Sequence, residues 1–348
     1  MLSTSKDSDF KEENRTLKIV ERPTFILKTR EGESRAISPS QRNGNKNFFR
    51  KDAEISSGTS TKIQESIRSL STCPEMTACT KLMDKTMQLI ENPIDYLHDQ
   101  QDFLVVGCLG TQGVGKSTIM SLLTSNYIVI YLDTQPIFSG SLIDYSASFD
   151  QKKASVDFVN TEFNLELQSL QFAAFLFSVC HVILFVQDWF VDPNLLRFLQ
   201  TAEMLKPSST TIMDQEYVEY YPHLVFLHNK AELQDFKPDT IDKIKKFYDK
   251  LFSTSKLQTH SGINMGNCST ESGLNLFLIP SRTNDEEKIF YESEKSLIDK
   301  LRTKIYGVTR NPMTPSVLTE KSWFHYVSKV MEAIKKSHLS SDYGRLMP

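Results

Sequence analysis

Gly110-Thr111-Gln112-Gly113-Val114-Gly115-Lys116-Ser117 decides the fold of this chain. The octet fits G-x-x-x-x-G-K-[ST], the phosphate-binding P-loop. Glycines let a backbone double back and aim several N–H groups at one anion. Lys116 brings a positive charge to the outer phosphates, and the hydroxyl of Ser117 can ligate Mg²⁺. A helix beginning there, through Thr118, points the positive end of its dipole at the same anion. The flanks agree. Phe103–Leu109 reads as a buried strand and Thr118–Leu123 as the following helix.

Outward from the loop, strands and helices alternate. Strands are expected at Tyr127–Leu132, Val182–Val186, His223–Leu227 and Leu274–Ile279. Helices are expected over Glu162–Ser178, Asn194–Leu205, Asp239–Phe252 and Glu286–Ile305. This order predicts an α/β fold of the P-loop NTPase, G-domain-like kind: a mostly parallel sheet with helices on both faces. A ligand in such a sheet sits at the carboxyl ends of the strands. Trp323, Phe324, Val327, Val330, Met331 and Ile334 recur at helical spacing and predict a C-terminal amphipathic helix, whose apolar face either packs on the domain itself, the favoured reading, or docks a partner. Two organisational units follow: a disordered N-terminal tail over 1–75, polar and without apolar periodicity, and a domain over 76–348. Met76–Ile90 has spacing compatible with a helix that Pro93 would stop.

Composition limits the function classes. The 348 residues are 39% hydrophobic, enough for a full core, and carry a net charge of -3, which argues against sequence-specific nucleic-acid binding. Cys73, Cys79, Cys108, Cys180 and Cys268 form no tight pairs and no metal cluster, which fits ordinary thiols and a cytoplasmic location. The apolar run Phe172–Val186 is short of the roughly 20 residues of a membrane helix. It divides into a helix end and a central strand.

Two further segments complete a nucleotide site. Asp133 ends the strand beside the P-loop strand, where P-loop proteins hold Mg²⁺. In GTP-binding proteins the motif there reads Asp-x-x-Gly, and the glycine N–H contacts the third phosphate. Here Pro136 occupies the glycine's place and has no N–H to give. Ile137 follows, so no glutamine or histidine orients an attacking water. His228-Asn229-Lys230-Ala231-Glu232 is similar to Asn-Lys-x-Asp, the guanine-reading sequence, with Glu232 one methylene longer; the base, guanine or adenine, stays open. Gln112 places a long side chain where hydrolysing GTPases have a small one, and only Thr124-Ser125-Asn126 separates the P-loop helix from the second strand, a shortened switch I region.

Several uncommon strings occur in order. Leu132-Asp133-Thr134-Gln135-Pro136, Val186-Gln187-Asp188-Trp189-Phe190, Arg197-Phe198-Leu199-Gln200-Thr201-Ala202-Glu203-Met204, Tyr220-Tyr221-Pro222-His223 and Leu318-Thr319-Glu320-Lys321-Ser322-Trp323-Phe324-His325-Tyr326 resemble the SMG-nine family. These are G-domain-like regulatory subunits of the nonsense-mediated mRNA decay kinase complex. The resemblance implies a purine nucleotide (GTP/GDP or ATP) with Mg²⁺, and slow hydrolysis at most, so a regulatory subunit rather than an enzyme. It also implies two partners: an SMG-eight-like G-domain protein in a heterodimer, and an SMG-one-like kinase of the PI3-kinase-related class. The rival readings are an active P-loop GTPase or ATPase and a nucleotide-free pseudo-GTPase scaffold. Trp189 and Phe190, at the ligand edge of the sheet, are candidate interface aromatics.

Overall fold

The computed structural model describes residues 76–338, apart from 77, 85–86, 125–128, 140–157, 189–191, 208–217, 267–272 and 282–291, together with 342. Five strands form one sheet: β1 (Leu104–Leu109), β2 (Val129–Leu132), β3 (Val182–Gln187), β4 (His223–Ala231) and β5 (Leu276–Pro280). Their spatial order is β2-β1-β3-β4-β5, and every pairing is parallel. Buried runs such as Leu104-Val105-Val106 and Val182-Ile183-Leu184-Phe185 follow from this, because a parallel sheet is covered on both faces.

Among the described residues six α-helices supply the covers: α1 (Lys116–Leu123), α2 (Phe158–Val179), α3 (Pro193–Leu205), α4 (Pro238–Leu251), α5 (Glu294–Tyr306) and α6 (Glu320–Lys336). On one face Ile119, Met120 and Leu123 of α1 and Leu297, Ile298, Leu301 and Ile305 of α5 close over Val106, Leu184 and Phe277. The opposite face is broader. Residues of α2, α3, α4 and α6 cover Val105, Ile183, Phe185 and Phe226 there. The apolar stretch Phe172–Val186 divides as its composition requires, with α2 ending at Val179 and β3 beginning at Val182. No helix among the described residues is long and apolar enough to cross a membrane.

The last helix turns its apolar face inward. Trp323 is fully buried, and its indole N–H donates to the carbonyl of Val179 at 2.9 Å, so the ring caps the end of α2. Thr319 starts the helix as N-cap, accepting from the Ser322 amide, while Ser322 Oγ accepts from the Thr319 amide at 2.6 Å.

Two sequence expectations are corrected. The described part of Met76–Ile90 is not helical: Met83 and Leu89 form an antiparallel bridge, and Asp84 accepts the amides of both Met87 and Gln88. The turn-forming carboxylate of Asp84 outcompetes helical spacing in so short a segment. Of the helix expected over Glu286–Ile305, positions 286–291 lie outside the described residues, and the described part begins at Glu294, where Ser293 caps it by accepting from Ser296 N. The expectations for 1–75 and for Trp189 and Phe190 fall outside the described residues.

His181, between α2 and β3, holds the sheet's central connection. Its Nδ1 accepts from the Val105 amide at 3.0 Å, and its ring meets Phe103 edge-on. Burial, aided by His223, pushes its pKa down to about 4. A histidine depressed on folding contributes stability that is present above its unfolded pKa and lost as pH falls toward the folded one. We expect unfolding free energy to drop by about 3 kcal/mol from this group between pH 6.5 and 4, at about 1.36 kcal/mol per pKa unit. His181→Gln should remove that part of the slope in denaturant titrations, and an unchanged slope would refute the assignment.

Candidate functional site

The P-loop leaves β1 at Leu109 and enters α1 at Lys116. Its glycines are required by measurable space. Gly110 has φ 156, and a Cβ there would lie 2.3 Å from the Val186 carbonyl of the neighbouring strand. Gly115 has φ 93, and a Cβ there would lie 2.4 Å from Asn229 Nδ2. Gly113 has φ 80 and nothing within 4 Å, so the loop faces open space at its middle. Among the described residues none accepts from the amides of Gly113, Val114, Gly115 or Lys116. Unpaired amides converging at a helix start are the donor set a phosphate needs.

Lys116 is buried, and its ammonium donates to the carbonyls of Gly110 and Thr111 at 2.9 and 2.8 Å. Burial lowers its pKa, against the favourable charges of Cys108 and Asp133. Ser117 Oγ donates to Asp133 Oδ2 at 2.5 Å, which brings the two expected Mg²⁺ residues together. The carboxyl of Asp133 is raised by burial, partly offset by the Ser117 bond and the Lys116 charge. The Thr134 amide holds its other oxygen at 3.0 Å, and Thr134 Oγ1 donates to the Cys108 carbonyl, so this strand end is fixed to β1. The described donors fit a nucleoside phosphate with a divalent cation: one ammonium, a set of free amides, and a hydroxyl beside a carboxylate.

Asn229 and Lys230, at the end of β4, bind the loop directly. Asn229 Nδ2 donates to the Val114 carbonyl at 2.9 Å. Lys230, at φ 57, sends its ammonium to the Gly113 carbonyl at 2.9 Å and pairs with Asp188 at 3.5 Å. Glu232 stands apart from them. It is exposed at the start of a 3₁₀ turn, with its amide on Asp235 and its carboxylate accepting from the Gln234 amide group at 2.8 Å. Gln112, in the loop, and Thr118, in α1, are exposed, and neither side chain makes a hydrogen bond to another described residue.

Helix α1 is anchored from behind. Arg302 of α5 donates to the carbonyls of Leu122 and Leu123, and Tyr131 donates to Leu123 O at 3.0 Å. These bonds satisfy the orphan carbonyls that end every helix.

Sequence reasoning missed Ile137, Asp188 and Ser281. The Ile137 amide donates to the Gly110 carbonyl at 3.1 Å. Asp188 follows β3 directly, and its position at a strand end beside the P-loop strand was the available signal. The Ser281 amide donates to Ala231 O, which ties the end of β5 to the candidate base-reading turn.

No family model matches the chain. Among curated proteins it is similar to the nonsense-mediated mRNA decay factor SMG9 of Xenopus laevis, at 37% identity over 343 aligned positions, covering 77% of this chain and 66% of that protein. The Salmo salar protein of the same name matches at 37% identity, covering 76% of this chain and 66% of its own. Protein SMG9 of Drosophila melanogaster is 26% identical, covering 69% and 57%. The chain therefore spans just under two thirds of the length of the vertebrate relatives it matches. Since 77% of 348 residues is about 268, about 75 of the 343 aligned positions stand opposite gaps in this chain. A solved structure, translation elongation factor SelB from Methanococcus maripaludis in its apo form, covers 62% of this chain and 36% of that chain at 10% identity and a TM-score of 0.30, a likeness too slight to argue from.

The glycine geometry makes a graded prediction. Gly113→Ala meets no atom and should cost only the left-handed backbone strain, about 1–2 kcal/mol. Gly110→Ala adds a collision with a central-strand carbonyl and should cost clearly more. Urea titrations giving equal losses for the two variants would contradict the loop conformation.

Proposed function

The chain belongs to the SMG9 family of nonsense-mediated mRNA decay factors, and we propose that it acts there as a purine-nucleotide-binding, hydrolysis-poor regulatory subunit. The observation that carries this reading is the set of free amides around a buried Lys116, with Ser117 already on Asp133. The Gly113–Lys116 amides and the Lys116 ammonium would hold the phosphates. Ser117 and Asp133 would hold Mg²⁺, which would supply charge neutralisation at the outer phosphates. Asn229 and Lys230 support the loop from the base side, and Glu232 reaches the base only after leaving its Gln234 contact.

Turnover is disfavoured by two adjacent backbone positions. Pro136 has no N–H. The N–H of Ile137 is already committed to Gly110 O. Neither can sense a third phosphate without breaking the bond that positions the loop. A role in kinase regulation follows in our reading: the chain works with an SMG-eight-like G-domain partner on an SMG-one-like PI3-kinase-related kinase, in the cytoplasm.

Lys116→Ala should weaken binding of GTP or ATP by about 2–4 kcal/mol, the range for removing one partner of a charged hydrogen-bonded pair. Isothermal titration with both nucleotides decides it, and equal curves for variant and parent would reject the site. Multiple-turnover hydrolysis should run at or below about 10⁻⁴ s⁻¹, the unassisted rate of a small GTPase. A rate near 1 s⁻¹, within the ordinary enzyme range, would overturn the regulatory reading.

A further inference from the structure

At the opposite end of the sheet from the P-loop, where α3 ends and β4 begins, two lysines crowd one aromatic ring. The ammonium of Lys206, the C-cap residue of α3, lies 4.6 Å from the centroid of Tyr221 and 5.9 Å from that of Tyr220. The ammonium of Lys256 lies 5.7 Å from the same Tyr221 ring. The two cations are unequally served. Lys256 pairs with Glu219. Glu203 accepts from Ser255 Oγ and from the Lys256 amide, at 2.7 and 2.6 Å. The half-buried Lys206 ammonium makes no hydrogen bond or ion pair to any described residue.

Ring faces attract a cation, but two cations on one face repel each other. The charged groups around Lys206 are thus Glu203 on its own helix and Glu219 and Lys256 across from it. Burial outweighs the two carboxylates and, with the repulsion from Lys256, brings its pKa down to about 8. A neutral, planar amide in place of the ammonium would relieve the repulsion and could lie on the Tyr221 ring without needing a counter-charge.

We propose that Lys206 is a modification site for acyl donors of the thioester class, with Tyr220 and Tyr221 as the apolar seat of the acylated side chain. In the reaction the unprotonated Nζ attacks the thioester carbonyl carbon. A C–N bond forms, the C–S bond breaks, and the sulfur leaves as a thiolate that takes up the proton shed by nitrogen. Nothing in this step uses the nucleotide site, so it stands or falls independently of the function proposed above.

The test is limited acylation of the full chain with acetyl-coenzyme A between pH 7 and 9, read by quantitative peptide mass spectrometry. Lys243, Lys246 and Lys250, exposed on α4, are the internal references. A pKa near 8 against an ordinary value near 10.4 raises the neutral fraction about a hundredfold at pH 8, and the lower basicity returns about tenfold of that. Lys206 should therefore label about tenfold faster than the references, with a pH midpoint near 8. Lys256→Gln removes the repelling cation and frees Glu219 for Lys206. In that variant the preference should shrink at least about threefold and the midpoint move upward, with the melting temperature checked alongside. Labelling of Lys206 no faster than the references, or a preference untouched by Lys256→Gln, would overturn the proposal.

Discussion

The carbonyl oxygen of Gly110 is the point on which the carboxyl edge of this sheet turns. It accepts the Lys116 ammonium at 2.9 Å and the Ile137 amide at 3.1 Å. The same residue passes so close to β3 that no side chain fits. That one acceptor joins Lys116 to the segment that follows Asp133, and the close approach of Gly110 to Val186 adds the central strand. A buried carbonyl with two charged or amide donors is satisfied, and leaving any one of these donors unpaired would cost the desolvation of that group. The loop is therefore held in its shape by the protein's own bonds.

The sheet order explains why this point lies where it does. With β2 on one side of β1 and β3 on the other, the chain changes direction across the sheet at β1, and a crevice opens above the ends of β1 and β3. Gly110 follows β1 and touches Val186 of β3, so the P-loop fills that crevice. Asn229 and Lys230 come from β4, the next strand, and reach the loop carbonyls at 2.9 Å each. Helix α1, only eight residues long, is fixed behind by Arg302 and Tyr131, which take the place of the length it lacks.

Much of this was legible because it is local or periodic. The P-loop spacing, the β-branched strand runs and the alternation of strands with helices carry their own physical signatures. The parallel sheet, the inward-facing Trp323 and the division of Phe172–Val186 follow from them. What was not legible depends on single long-range bonds or on competition between local options. Asp84 closes a turn where apolar spacing suggested a helix. Ser293 caps a helix at a point where composition suggested an unbroken run. The Ile137 amide and the Asp188 carboxylate acquire their meaning from atoms far away in the chain, Gly110 O and Lys230 Nζ, and only the strand-end position of Asp188 hints at either. Glu232 matches a motif by position, yet its side chain is engaged by the turn it caps.

The substitution at Pro136 and the bond at Ile137 bear on each other. A glycine in place of Pro136 would restore an N–H, but the very next residue, Ile137, would still be tied to Gly110. Sensing a third phosphate requires the segment to move as the phosphate arrives or leaves, and a segment bonded to the loop's own hinge carbonyl moves only with the loop. The nucleotide of the proposed reading would add acceptors for the free amides while the Gly110–Ile137 bond holds the segment to the loop, so it would reinforce one shape instead of choosing between two. In the proposed reading such a domain would be a nucleotide-stabilised part of a larger assembly, and its regulatory effect would come from the surfaces that one shape presents.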